Sequence, residues 1–166
     1  MSKQLIEDYQ SFDNLNKAQL ITEQLIRDLP QFAPAYALLC EITLYESWRG
    51  NEKSLLDEAK TLCLKASELS PDDIYVQGVL GTLYAKSGEL SLAKKQFRDI
   101  LTLTPSYIEA LMGLASVYFE QYRKEANNEL LVQALEYARQ ATLKQPSYWR
   151  PFQLLAIIEF SSGNIE

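Results

Sequence analysis

Between Ile74 and Tyr107 the chain carries two runs of helical periodicity, separated by Ser87-Gly88 and closed by Pro105. Apolar residues recur three and four apart: Val76, Leu80, Leu83 and Tyr84 in the first run, then Leu92, Ala93, Phe97, Ile100 and Leu101 in the second. Gly88 accepts the left-handed backbone that closes a helix at little strain. Pro105 lacks an amide hydrogen and stops the second helix. Gly81 and Ala93 are small where two helix axes must approach, and Leu80, Tyr84 and Phe97 fill the space beside them. The stretch predicts two short helices folded back on each other.

Weaker copies of this spacing run through the whole chain, so residues 1–166 read as a single repeat array. The copies are 1–32, 33–73, 74–107, 108–148 and a half-copy, 149–166. In the first, Leu5, Tyr9, Ala18 and Pro30 keep the intervals of Leu80, Tyr84, Ala93 and Pro105, and Asp13 or Asn14 is the predicted cap of its second helix. The second holds Tyr36, Leu39 and Cys40, then Ala59, Cys63, Ala66 and Pro71. Leu39 and Ala59 stand 20 apart where Leu80 and Ala93 stand 13 apart. The seven added residues are about two helical turns, which lengthen both helices by a turn without rotating either apolar face. Trp48-Arg49-Gly50-Asn51 is then the tip, with Asn51 as a cap. The fourth copy, with Leu111, Leu114, Ala115 and Tyr118, then Ala134, Ala138, Ala141 and Pro146, repeats the 20-residue interval from Leu114 to Ala134. Long and regular hairpins therefore alternate. Ser106 and Ser147 are placed to cap the helices that follow them.

These residues resemble the tetratricopeptide repeat, whose pattern W-x2-L-G-x2-Y…A-x3-F…P extends over about 34 residues. Leu80, Gly81, Tyr84, Ala93, Phe97 and Pro105 occupy six of its seven places, and Gln77 stands where the tryptophan belongs. The resemblance implies an all-α, right-handed superhelix, an alpha-alpha solenoid of about nine helices. It also implies a concave groove lined by the first helices of successive copies, and a protein or peptide as partner. Carried over by place, the groove presents Glu41, Leu44 and Tyr45 from the second copy and Tyr75, Gly78, Thr82 and Lys86 from the third. The fourth adds Glu109, Met112, Ser116, Phe119 and Glu120, and the half-copy Arg150, Gln153, Ile157 and Phe160. Tyr45, Tyr75, Met112 and Phe119 are expected to form an aromatic and thioether strip for an extended peptide or a partner helix. The lysine and asparagines with which one subfamily grips chaperone tails are absent: their places hold Ala37 with Glu41, Gly78 with Thr82, and Met112 with Ser116.

A looser resemblance links Phe32-Ala33-Pro34-Ala35-Tyr36-Ala37 and Tyr148-Trp149-Arg150-Pro151-Phe152 to repeat regions of bacterial kinases, cyclases and transcription regulators. It implies a sensory or docking arm of a larger protein. The final run is apolar on more than one side, through Phe152, Leu154, Leu155, Ile157, Ile158 and Phe160. Arrays ordinarily end on a polar face. The expectation is a segment of a longer chain, or a homodimer through residues 149–166.

Catalysis finds no footing in the pattern. The chain has no histidine, no glycine-rich phosphate loop and no Cys/His metal spacing, so neither enzyme activity nor a cofactor or metal is expected. Glu125, Glu129, Asp57 and Glu58 read as solvated helix surface. A net charge of −6 disfavours nucleic acid and anionic membrane surfaces. No apolar run approaches the roughly 20 residues of a membrane span. Met1-Ser2-Lys3-Gln4 lacks the apolar core of a signal peptide, so the cytoplasm is the default compartment, with the periplasm the alternative for a membrane-anchored parent. Cys40 and Cys63 are read as buried free thiols, a disulfide being the alternative.

Overall fold

A computed structural model describes the backbone of residues 12–50 and 53–163. Eight α-helices make up the described chain: α1 (Phe12–Asp28), α2 (Ala33–Gly50), α3 (Lys53–Leu69), α4 (Ile74–Lys86), α5 (Leu90–Leu103), α6 (Ile108–Glu125), α7 (Asn128–Lys144) and α8 (Trp149–Ser161). Leu5 and Tyr9, expected in a ninth, lie outside the described residues. The chain divides into two compact units, Met1–Ser87 and Gly88–Glu166. The predicted 74–107 hairpin thus contributes its first helix to one unit and its second to the other.

In the first unit α2 folds back against α3, and both pack on α4. Alanines and cysteines let the axes close up: Ala33, Ala37 and Cys40 of α2 meet Ala59, Cys63 and Ala66 of α3, and Val76, Val79, Leu80 and Leu83 of α4 complete the cluster. A helix apolar on all sides must be covered on all sides. α2 is such a helix, and its other flank, Leu38 and Ile42, buries Leu15 and Ala18 of α1.

In the second unit α6 folds against α7, α5 packs on α6, and α8 packs on both α7 and α6. Ala134, Ala138 and Ala141 of α7 and Ala115 of α6 are all buried, as is Phe97 of α5. The Phe97 ring lies over Gly113, where a Cβ would come within 2.4 Å of it. Tyr118 stacks on Tyr137 with ring centroids 5.7 Å apart, and Lys94 lies 5.1 Å from the Tyr118 centroid. Arg98 donates to the Tyr118 hydroxyl.

The long and regular helices differ as the spacing predicts. α2 and α6 have 18 residues and α3 and α7 have 17, against 13 in α4 and 14 in α5. Gly88 and Gly163 both adopt the left-handed conformation, at φ 79° and 73°.

Several local expectations are corrected. Cys40 and Cys63 are joined in a disulfide and are not free thiols. Asp13 and Asn14 lie inside α1, and Trp48-Arg49-Gly50 is still helical, leaving the tip with Asn51 outside the described residues. The residues that open α6 and α8 are Tyr107 and Tyr148, with no side-chain cap, and not Ser106 and Ser147. The Tyr107 amide bonds back to the Thr104 carbonyl and the Tyr148 amide to Gln145, so the turn spends each serine before the helix begins. Asp73 and Asn127 do cap the helices that follow them, α4 and α7. Asp73 accepts from the Tyr75 and Val76 amides at 2.8 and 3.1 Å. Asp73→Ala is expected to cost about 1 kcal/mol and Asp73→Asn much less, read as a shift of the urea midpoint.

Candidate functional site

Within the first unit most groove positions are already engaged by the chain itself. Leu44 is buried in the core beside Cys40 and Ala33, so its assignment to a partner face is corrected. The physical reason is the all-round apolar character of α2, which leaves no side of that helix to solvent at this level. Tyr45 is half-buried against Leu38, Ile42, Leu15 and Ala18. The Tyr75 hydroxyl donates to the Glu41 carboxylate at 2.9 Å, tying α4 to α2. Thr82 donates to the Gly78 carbonyl one turn back, and Gly78 is buried. Lys86 is exposed at the end of α4.

Near the far end of the same hairpin, half-buried Glu46 of α2 faces Glu58 of α3. Burial first, and the like charge of Glu58 second, push the Glu46 carboxyl above its ordinary value. A raised carboxyl favours folding most below its unfolded value, and that contribution is lost as pH rises through the folded value.

The second unit keeps more of its first-helix surface open. Along α6, Glu109 and Ser116 are exposed and Met112, Phe119 and Glu120 are half-buried. Met112 leans on the cluster of Ile108, Leu111 and Ala141. Phe119 stacks on Tyr122, with ring centroids 6.1 Å apart. Glu120 is held by Arg123 at 3.2 Å and Lys124 at 3.7 Å, both on its own helix. α8 packs on α6 as well as on α7. It presents Gln153, Ile157 and Phe160 to solvent, with Arg150 donating to the Tyr148 hydroxyl at 3.2 Å.

The expected four-residue strip therefore belongs to two units. Tyr45 and Tyr75 serve the packing of the first, while Met112 and Phe119 lie half-open on the second. Exposed Trp149 and Phe152, at 52% and 46%, were not among the predicted site residues. Their signal, a last helix apolar on more than one side, was present in the sequence. Glu125, Glu129, Asp57 and Glu58 are all exposed, as expected of solvated surface. Among the described residues no helix is long and apolar enough to cross a membrane.

No protein-family model matches the chain. Human tetratricopeptide repeat protein 7A is 34% identical over 84 residues, 51% of this chain; the chain spans about a tenth (10%) of that relative's length. Among solved structures, TTC0263, a thermophilic tetratricopeptide-repeat protein of Thermus thermophilus, matches with a TM-score of 0.70 at 20% identity, over 88% of this chain and 73% of its own. YrrB, described as a tetratricopeptide-repeat protein with an unusual peptide-binding site, matches with a TM-score of 0.53 at 18% identity, over 99% of this chain and 76% of its own.

Proposed function

We propose that this chain, a tetratricopeptide-repeat protein in pattern and an alpha-alpha solenoid in fold, is a non-catalytic interaction module whose partner is a peptide or a helix of another protein. The reading is carried by the open first-helix surface of the second unit. Ser116 on α6 and Gln153 and Ile157 on α8 are exposed, and Ser116 lies one helical turn from half-buried Met112 and Phe119. Apolar area flanked by exposed polar groups suits an extended or helical peptide, which supplies both side-chain contacts and backbone hydrogen bonds. The net charge of −6 favours a partner segment that is neutral or basic, and neither nucleic acid nor a membrane surface. Glu109 places acid at the start of the α6 surface, while Glu120 is offset by Arg123 and Lys124.

Selection of a displayed random-peptide library on the folded chain tests this. Selected peptides are expected to bind the chain and to lose about tenfold or more in affinity against Ser116→Arg and against Gln153→Arg, with helical circular dichroism unchanged. Peptides whose affinity ignores both substitutions contradict the assignment of the surface.

A further inference from the structure

Lys94 and Arg98 stand four apart on α5, each next to a buried residue, Ala93 and Phe97. That spacing sets both on one side of the helix. Both reach the same side chain of α6. The Lys94 ammonium lies 5.1 Å from the Tyr118 ring centroid, and the Arg98 guanidinium carbon 5.9 Å from it. Arg98 also donates to the Tyr118 hydroxyl, and Lys94 donates to the Gln121 side-chain carbonyl at 3.1 Å. Tyr118 is buried and stacks on Tyr137 of α7, so three helices fix the place of its hydroxyl.

We infer that Lys94, Arg98 and the Tyr118 hydroxyl bind a phosphate monoester dianion. Among the described residues neither Lys94 nor Arg98 forms an ion pair, whereas Lys95, between them, is held by Asp99 at 2.7 Å. Like charges four apart on a helix repel each other. Here two of them go uncompensated, in a chain whose net charge is −6. The Tyr118 hydroxyl accepts from Arg98, and its own hydrogen meets no acceptor among the described residues. Lys94 and Arg98 each keep further N–H groups beyond the single hydrogen bond each makes. Arg98 is exposed, so an oxyanion that settles on it from solvent also meets the ammonium and the phenol. Three separate donors and two positive charges match a tetrahedral dianion with three acceptor oxygens better than a planar, singly charged carboxylate. Free phosphate and a phosphorylated side chain of a partner protein both present that group. Lys94, Arg98 and Tyr118 are all distinct from the residues of the peptide surface proposed above.

Titration of inorganic phosphate into the isotope-labelled chain, followed by NMR at constant ionic strength, tests it. The Tyr118 ring and Arg98 signals are expected to shift and saturate, and acetate is expected to bind at least about tenfold more weakly. Arg98→Gln and Lys94→Gln are each expected to weaken phosphate by about tenfold, with helical circular dichroism unchanged. Tyr118→Phe keeps the stacked ring, loses the hydroxyl and is expected to weaken binding by a smaller factor. Lys95→Gln removes the same charge from the same helix, but from a lysine already held by Asp99, and is expected to have little effect. A peptide with one phosphoserine that binds more tightly than inorganic phosphate assigns the group to a partner protein, and equal affinity assigns it to a free ion. Shifts that never saturate overturn the inference. So does acetate binding as well as phosphate, or Lys95→Gln costing as much as Lys94→Gln and Arg98→Gln.

Discussion

Replacing Phe97 with alanine is expected to cost the second unit about 3–5 kcal/mol, the usual range for deleting a fully buried aromatic ring. Phe97 is 1% exposed, and α5 buries only Ala93, Phe97 and Ile100, so the ring is its principal anchor. Its nearest feature is Gly113, bare of any side chain because the ring fills that space. The pair is therefore coupled. Gly113→Ala alone gains about 1 kcal/mol of helix propensity but drives a methyl group into the ring, and overpacking of about 1–3 kcal/mol outweighs or cancels the gain. In a Phe97→Leu background the methyl group finds room and the same substitution becomes favourable. Urea titration followed by Trp149 emission, with Trp48 replaced by phenylalanine, reads the second unit by itself. Strictly additive effects of the two substitutions would show that the contact carries no coupling energy.

Opening the Cys40–Cys63 disulfide is expected to cost the first unit about 3 kcal/mol. The bond closes a loop of sequence separation 23, and the chain entropy it removes from the unfolded state sets that magnitude. Both cysteines are buried, at 0% and 1% exposure, so reduction proceeds through opening of the α2–α3 hairpin. Trp48 emission in a Trp149→Phe background is expected to show a lower urea midpoint with reductant than without it. A Cys40→Ala/Cys63→Ala chain is expected to match the reduced protein and to ignore reductant. Identical midpoints with and without reductant would mean that the bond adds no stability. Such a bond persists in oxidising surroundings and opens in reducing ones, so the stability of this unit follows the redox state around it.

Much of the architecture is visible in short-range chemistry. Gly88 and Gly163 announce turns that require a left-handed residue, and both adopt one. The alanines at the predicted packing places, from Ala59 to Ala141, are buried because only a small side chain fits where axes cross. Matched seven-residue insertions keep the helical phase and so lengthen the helices without moving their faces. What escapes the sequence depends on partners distant along the chain. Cys40 and Cys63 each read as a small core residue, and only the meeting of α2 and α3 makes them neighbours. Leu44 sits at a groove place, but its helix is apolar all round and the core claims it. Gly113 breaks no pattern in α6, and its role emerges only when Phe97 arrives from α5. Ser106 and Ser147 are good capping residues one position too early, because the tight turn before each helix moves the cap to the following tyrosine.

Site-specific photo-crosslinking with a library-selected peptide tests the proposed recognition surface most directly. A benzophenone amino acid at Ser116, on the open surface of α6, is expected to capture the peptide. The same group at Leu143, 77% exposed at the end of α7, is expected to leave it free. Capture at Leu143 with none at Ser116 would contradict the account, since the partner would then lie on the second helices and not on the first.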